Sequence, residues 1–285
     1  VTAAPSRRMP SSLLAIAAIF SVQFGNAFVG SLFAQVGPLG AAALRLGFAA
    51  LILVVIVRPR VRAWGARTWL GVALLGIGMA GMNVFIYLSI DEIPLGLAVT
   101  IELMGPLAVA AAGIRRPVDA AWVGLAVGGI LLLGLDDTGA VTLRGALFAA
   151  VAAAFWALYI LASARLSSRV RGIDGLVAAV AVAALVVVPF GAVDAAVAVR
   201  QDPALLGAFA ILALMTSVVA YGLEFLALKR MTARVFGVLS SLGPAVAALA
   251  GFAVLHQQLD ARQLLAILLV VCASAGVVAT SRRTA

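Results

Sequence analysis

One cysteine, one histidine and one lysine stand in a chain of 285 residues, and each scarcity closes a class of function. Cys272, inside a hydrophobic stretch, excludes an intramolecular disulfide and a cysteine-built metal site. His256 cannot form the two-histidine face of a His-Glu-x-x-His metalloprotease. Beside Gln257 and Gln258, it reads as a solvated residue at the outer end of a membrane span. Lys229 follows Leu228, and no Gly-x-x-x-x-Gly-Lys-[Ser/Thr] occurs, so transport driven by this chain's own ATP hydrolysis is excluded. Prenyl-transfer and lipid-phosphate enzymes hold magnesium with clustered acids. Asp136 and Asp137 have no second cluster to face and read as turn residues. No cofactor and no metal are expected.

Charge is scarce too. Charged residues make up 11% of the chain, against about 25% in a soluble domain. Hydrophobic residues make up 65%, and the mean hydropathy is +1.19. The longest loops reach only about ten residues, which leaves no room for a soluble sensory or scaffolding module. A net charge of +9 raises nucleic acid as a partner. The arginines are spread thinly over short loops, however, with no aromatic RNA-binding motif or basic helix, so no nucleic-acid partner is expected.

What the chain does have is ten apolar blocks, at 13–34, 38–57, 69–90, 94–113, 118–134, 144–164, 174–192, 203–227, 233–254 and 261–280. Each is near the roughly 20 residues that an α-helix needs to cross a bilayer core. Sixteen of the 20 basic residues fall in alternate gaps. These are Arg7 and Arg8; Arg58, Arg60, Arg62 and Arg67; Arg115 and Arg116; Arg165, Arg169 and Arg171; Lys229, Arg230 and Arg234; Arg282 and Arg283. The other gaps hold only Arg144, Arg200 and Arg262, and Arg45 lies inside a block. Basic loops stay cytoplasmic. The expectation is an all-α integral membrane protein with ten transmembrane helices and both termini cytoplasmic. The first block follows a short positive stretch with no clear small-residue cleavage site, so it is read as a retained anchor.

Two stretches align without gaps, IPLGLAVTIELMGPLAVAAAG (93–113) and MTARVFGVLSSLGPAVAALAG (231–251). Gly105-Pro106 and Gly113 fall on Gly243-Pro244 and Gly251, and after a three-residue offset Val118-Asp119-Ala120 meets Leu259-Asp260-Ala261. Span 4 therefore matches span 9, and span 5 matches span 10. An odd number of spans per repeat inserts the second copy upside down, the inverted-repeat plan of many secondary transporters. The division is 1–134 for the first repeat, 135–143 as an external linker, and 144–285 for the second. Pro106 and Pro244 lie well inside spans 4 and 9, where each removes a backbone hydrogen bond. A paired kink follows, serving either as a hinge or as a packing feature. Gly124-x-x-x-Gly128 is read as intramolecular helix packing.

The remaining signal is a small set of polar side chains at span depth, where charge is expensive and faces a cavity or a partner. Glu102 lies midway along span 4 with no cation within a turn of it, and Glu224 lies in the inner part of span 8. Arg45, two turns into span 2, either caps loop carbonyls, pairs with an acid on another helix or meets the substrate. Residues three or four apart share a helix side. That groups Gln23 with Asn26, Asn83 with Tyr87, Trp156 with Tyr159 and Ser163, and Ser217 with Tyr221 and Glu224. Trp156 and Tyr159 sit mid-helix, away from the interfacial belts, and read as a cavity lining for a small zwitterion with an apolar or aromatic side chain.

At these residues the chain resembles the drug/metabolite transporter superfamily of the EamA type, most closely its threonine/homoserine exporter branch. The matching strings are AALRLGFAALIL (42–53), MNVFIYLSI (82–90), IPLGLAVTIELMGPLAVA (93–110), RRPVDAAWV (115–123), AFWALYILA (154–162) and ARVFGVLSSLGPAVAAL (233–249). The resemblance covers essentially the whole chain. It implies two EamA repeats in the inner membrane and export of amino acids or related small metabolites. A related group with the same architecture exports aromatic amino acids. It also marks Glu102 and the Gly105-Pro106 pair as motif positions. In the threonine-exporter pattern a lysine stands at Gly30 and a glutamate at Gly243. The two changes read as the loss of a charge pair, which widens the pocket and raises an aromatic or broad-range substrate.

The expected function is thus an amino-acid exporter working by alternating access, with a small neutral or aromatic amino acid as substrate and lipid around it, either coupled to protons or facilitating diffusion down an outward gradient. Transport of phosphorylated sugars needs several basic pocket residues, and only Arg45 is available at span depth. A membrane enzyme lacks a catalytic constellation, and a lipid flippase needs a lateral opening.

Overall fold

The computed structural model describes residues 11–111, 117–134, 141–167, 169–170, 173–220, 223, 227 and 239–280. They form α1 (Ser11–Gly30), α2 (Phe33–Val57), α3 (Ala66–Glu92), α4 (Leu95–Glu102), α5 (Met104–Ala111) and α6 (Pro117–Gly134). Next come α7 (Leu143–Ser167), α8 (Asp174–Gln201), α9 (Ala204–Ala213) with a π-helical turn (Leu214–Val219), α10 (Gly243–Leu255) and α11 (Ala261–Thr280). No strand occurs among the described residues. Five of these helices are long and apolar enough to cross a membrane alone. Taking α4 with α5 and α9 with its π turn gives the ten expected blocks.

Proline explains where the helices break. Pro38 crowds the residue before it out of the helical region, and Gly37 takes φ 68, ψ 161, a conformation open to glycine without strain. Helix α2 therefore starts at Phe33 and kinks, ahead of the expected start at 38. Span 4 is divided at Leu103, three residues before Pro106, because proline has no N–H for the carbonyl of Glu102. Pro244 follows a matching interruption, as Pro106 does in the first turn of α5. Ser241 and Leu242 form a turn, and Pro244 occupies the first turn of α10, where its missing N–H costs nothing.

Helix α2 packs chiefly on α8, α3 on α7 and α8, α6 on α11, and α10 on α1 and α4. One core cluster runs through most of these contacts. Small residues bring backbones together around the centre. A methyl on Gly78 would meet the Tyr159 nitrogen at 3.0 Å, and one on Gly105 would collide with the Ala153 carbonyl. Gly124 and Gly128 behave otherwise. Among the described residues nothing lies within 4 Å of either added methyl, and both glycines are exposed, so this pair faces outward; Gly129 is the residue that packs on α11.

The loops sort into two ends. At one, the Arg60 amide donates to Asp174 Oδ2 at 3.2 Å, and Arg169 Nη1 donates to the Arg67 carbonyl at 3.0 Å. At the other, Arg144 Nη1 pairs with Glu92 Oε1 at 3.0 Å, and the Leu95 amide donates to Gln257 Oε1 at 3.0 Å. The basic gaps at 58–67 and 165–173 thus share one end, opposite the gaps around 92–95, 142–145 and 255–260. His256 is exposed and left-handed at φ 55, closing α10.

Candidate functional site

Midway along the bundle, side chains from six helical elements surround a polar cavity of about 150 Å³. Helix α1 supplies Val22, Gln23 and Asn26, and α3 supplies Met82, Asn83 and Ile86. Arg45 comes from the midpoint of α2, Glu102 from the last residue of α4, Trp156 and Tyr159 from α7, and Thr216 from the π turn. The i, i+3 spacings on α1 and α7 place each pair on one wall. Glu102 stands directly before the break at Leu103, so the proline that interrupts the helix also sets the position of its acid.

The polar groups are buried: Gln23 is 9% exposed, Asn26 8%, Arg45 6%, Asn83 5%, Glu102 8% and Thr216 3%. Some are occupied by backbone. Asn83 Nδ2 donates to the Met79 carbonyl at 2.7 Å, and Thr216 Oγ1 to the Leu212 carbonyl at 2.8 Å. The π turn is seated by α1, where Ser21 Oγ donates to the Met215 carbonyl at 2.9 Å. Gly25 has no side chain to block Thr216, whose methyl fills that space. Other groups are left open. Among the described residues, Gln23 Oε1, Arg45 Nε and the Tyr87 hydroxyl are buried without hydrogen-bond partners. Leaving a buried polar atom unpaired costs about 1–3 kcal/mol.

The structure brings Gln23, Asn26, Asn83, Glu102, Trp156 and Tyr159 to one cavity. Tyr87 does not line it: the residue is fully buried and lies under the Arg45 guanidinium. Spacing fixes the side of a helix but not which layer lies above it. Ser163, a turn beyond Tyr159, is half-buried and off the wall. Tyr221 and Glu224 lie outside the described residues. Arg45 and Thr216 are the additions. Arg45 was legible as a buried charge without an assignable partner. Thr216 was hidden because it lies in the π turn, where the chain departs from the 3.6-residue period on which grouping by spacing relies.

A larger crevice of about 380 Å³ between α5, α6 and α7 is lined only by aliphatic residues, Met104 and Gly105. It offers no group to orient a polar solute, and Leu131 on its rim is 66% exposed. The crevice belongs to the lipid-facing surface.

Residues 143–279 match the model of the EamA-like transporter family. The threonine/homoserine exporter RhtA of Salmonella typhimurium is 40% identical over 273 residues, covering 95% of this chain and 92% of that protein. The protein of the same name from Escherichia coli K12 is 39% identical over 282 residues, covering 97% and 95%. The chain belongs to the EamA-like transporter family. A solved crystal structure shares the fold at a TM-score of 0.62 and 22% identity, over 96% of this chain and 97% of that one. As an EamA-like transporter with ten apolar helical blocks, this is a multi-pass membrane protein.

Within this EamA-like chain, Gly30 and Gly243 are not a vacated charge pair. A methyl on Gly243 would lie 3.6 Å from Gln23 Nε2 at the cavity wall. One on Gly30 would lie 3.5 Å from Ile90 and Leu255, at the far end of α10. The 13 residues of α10 separate the two sites, by roughly 18 Å at 1.5 Å per residue. Only Gly243 bears on the cavity.

Proposed function

We propose that this protein is a secondary transporter of the bacterial inner membrane that exports small neutral amino acids of the threonine/homoserine class by alternating access. The observation that carries the reading is the midspan cavity with one guanidinium, one carboxyl group and several amide and hydroxyl groups on its wall. That inventory matches a free amino acid, whose backbone carries both charges. The cavity volume is well below the roughly 300–1,000 Å³ of drug-sized sites, which favours a small solute. The printed names of the relatives point to the same class. With a single cation on the wall, a phosphorylated sugar is disfavoured.

The architecture assigned to it is two inverted five-helix repeats, 1–134 and 144–285, joined by an external linker at 135–143. The helix pairing supports this. Match α1 to α7, α2 to α8, α3 to α9, α4–α5 to α10 and α6 to α11. The α2–α8, α4–α10 and α6–α11 contacts then map onto themselves. The α3–α7 contact exchanges with α1–α9, α1–α10 with α7 against α4 and α5, and α3–α8 with α2–α9. The site falls between the halves, where rocking of one repeat opens it to each side in turn. Basic loops at one end assign that end, and both termini, to the cytoplasm.

A second reading, export of aromatic amino acids, is favoured by Trp156 and Tyr159 on the wall. Proteoliposome counterflow with radiolabelled threonine, homoserine and phenylalanine, against protein-free liposomes, separates the two. Accumulation of threonine and homoserine is expected. Phenylalanine flux alone, lost in Trp156→Ala and Tyr159→Ala, selects the aromatic reading. Lipid scrambling with no amino-acid flux removes both.

A further inference from the structure

We propose that Arg45 and Glu102 are the two ends of a zwitterion clamp, Arg45 taking the α-carboxylate and Glu102 the α-ammonium of one substrate held between them. The assignment rests on the export reading above and sharpens it: the substrate must carry both charges, and each has a named receptor. Arg45 and Glu102 face the same cavity, and both are more than nine-tenths buried. Among the described residues they form no ion pair with each other, and neither side chain has a hydrogen-bond partner. Burying an ion is expensive unless an opposite charge and hydrogen bonds compensate it. A guanidinium and a carboxyl group that line one cavity without bonding each other leave room between them for a third body that carries both counter-charges.

The geometry gives each end its chemistry. The central carbon of the Arg45 guanidinium lies over the Tyr87 ring, 5.1 Å from its centroid. Its buried Nε–H has no hydrogen-bond partner among the described residues, and a guanidinium edge is the group that meets a carboxylate in two parallel bonds. At the other end, an ammonium has three donors. Glu102 supplies carboxylate oxygens, and Gln23 Oε1 is a buried acceptor without a donor. A single buried charge would select anions or cations. Two of opposite sign select a zwitterion and reject solutes lacking either charge.

The test uses the intact protein in nanodiscs, with Trp156 on the cavity wall as the fluorescent reporter and Trp156→Phe to identify its signal. Threonine is titrated beside threonine amide, which lacks the carboxylate, and beside the hydroxy acid in which a hydroxyl replaces the ammonium. Each analogue is expected to bind at least about tenfold more weakly than threonine, as losing a charged hydrogen bond implies. Arg45→Gln should weaken threonine and leave the amide unchanged, bringing the two together. Glu102→Gln should do the same for the hydroxy acid. Arg45→Lys, which keeps the charge without the fork, should fall between. Equal binding of threonine and its amide to the wild type overturns the clamp whether or not the variants fold. So does discrimination that survives in folded Arg45→Gln and Glu102→Gln. The export reading fails separately, if the wild type neither binds nor carries any amino acid.

Discussion

The Arg45 guanidinium lies over the buried ring of Tyr87, 5.1 Å from its centroid, and Phe33 packs on the same ring in a tilted arrangement with centroids 5.5 Å apart. A cation on an aromatic face gains about 2 kcal/mol or more when both are desolvated. The Tyr87 hydroxyl contributes nothing comparable, since it has no hydrogen-bond partner. Tyr87→Phe is therefore expected to retain expression, thermal stability and flux. Tyr87→Ala removes the ring and leaves a void, at a cost of about 3–5 kcal/mol, and should lower both melting temperature and threonine binding. A Tyr87→Phe protein that is folded but inactive would assign the hydroxyl a contact that this packing does not contain.

Glycine positions offer a test of the packing with an internal control. Gly105 lets α5 approach the Ala153 carbonyl of α7 so closely that a methyl group collides with it, whereas Gly124 has open space around it. Overpacking of this kind costs about 1–3 kcal/mol. Gly105→Ala should lower the melting temperature and the yield of folded protein; Gly124→Ala should leave both unchanged. Equal behaviour of the two variants in a thermal-unfolding assay would contradict the α5–α7 contact.

The elements that depend on one-dimensional signals are legible in the sequence. Hydropathy alone marks ten spans, because a helix in lipid must be apolar over its length. Proline marks the breaks near Leu103 and Leu242 for the same local reason. Polar residues such as Asn83 and Glu102 stand out because an aliphatic span has no other use for them. The failures all concern what lies next to a residue. Tyr87 shares a side with Asn83 but ends beneath Arg45, and no spacing rule reports that layer. Gly124-x-x-x-Gly128 has the form of a packing motif yet faces outward, since the motif does not say which face meets a neighbour. Thr216 depends on a π turn, which leaves no local mark in composition.

Orientation follows from the basic gaps and is open to direct labelling. With Cys272 replaced by alanine, single cysteines at Arg62 and at Gln258 should react from opposite sides with a membrane-impermeant maleimide. Arg62 should be reached only after the cytoplasmic face is exposed, and Gln258 in intact cells. The motive is the concentration of arginine at the end where the 58–67 and 165–173 loops meet. Labelling of both positions from one side would end the proposed topology.

Glu102 is the residue through which driving force and substrate can meet. It is 8% exposed, lies at the break between α4 and α5, and faces the cavity with no hydrogen bond among the described residues. A carboxyl group in that position changes charge only when a proton, water or a substrate ammonium arrives. If protons exchange there during the cycle, flux in proteoliposomes should vary with pH across about pH 6–8, and an imposed proton gradient should drive it. Glu102→Gln keeps the shape and most of the hydrogen-bonding capacity but cannot change charge. It should insert and fold, with flux reduced by about tenfold or more and a flat pH profile. A wild type that responds to an outward threonine gradient but not to a proton gradient makes this a facilitator. In that case Glu102→Gln should lose affinity for the ammonium group while its pH profile stays parallel to that of the wild type. Normal flux and an unchanged pH profile in the folded variant would remove Glu102 from both roles and leave it a structural acid at the helix break.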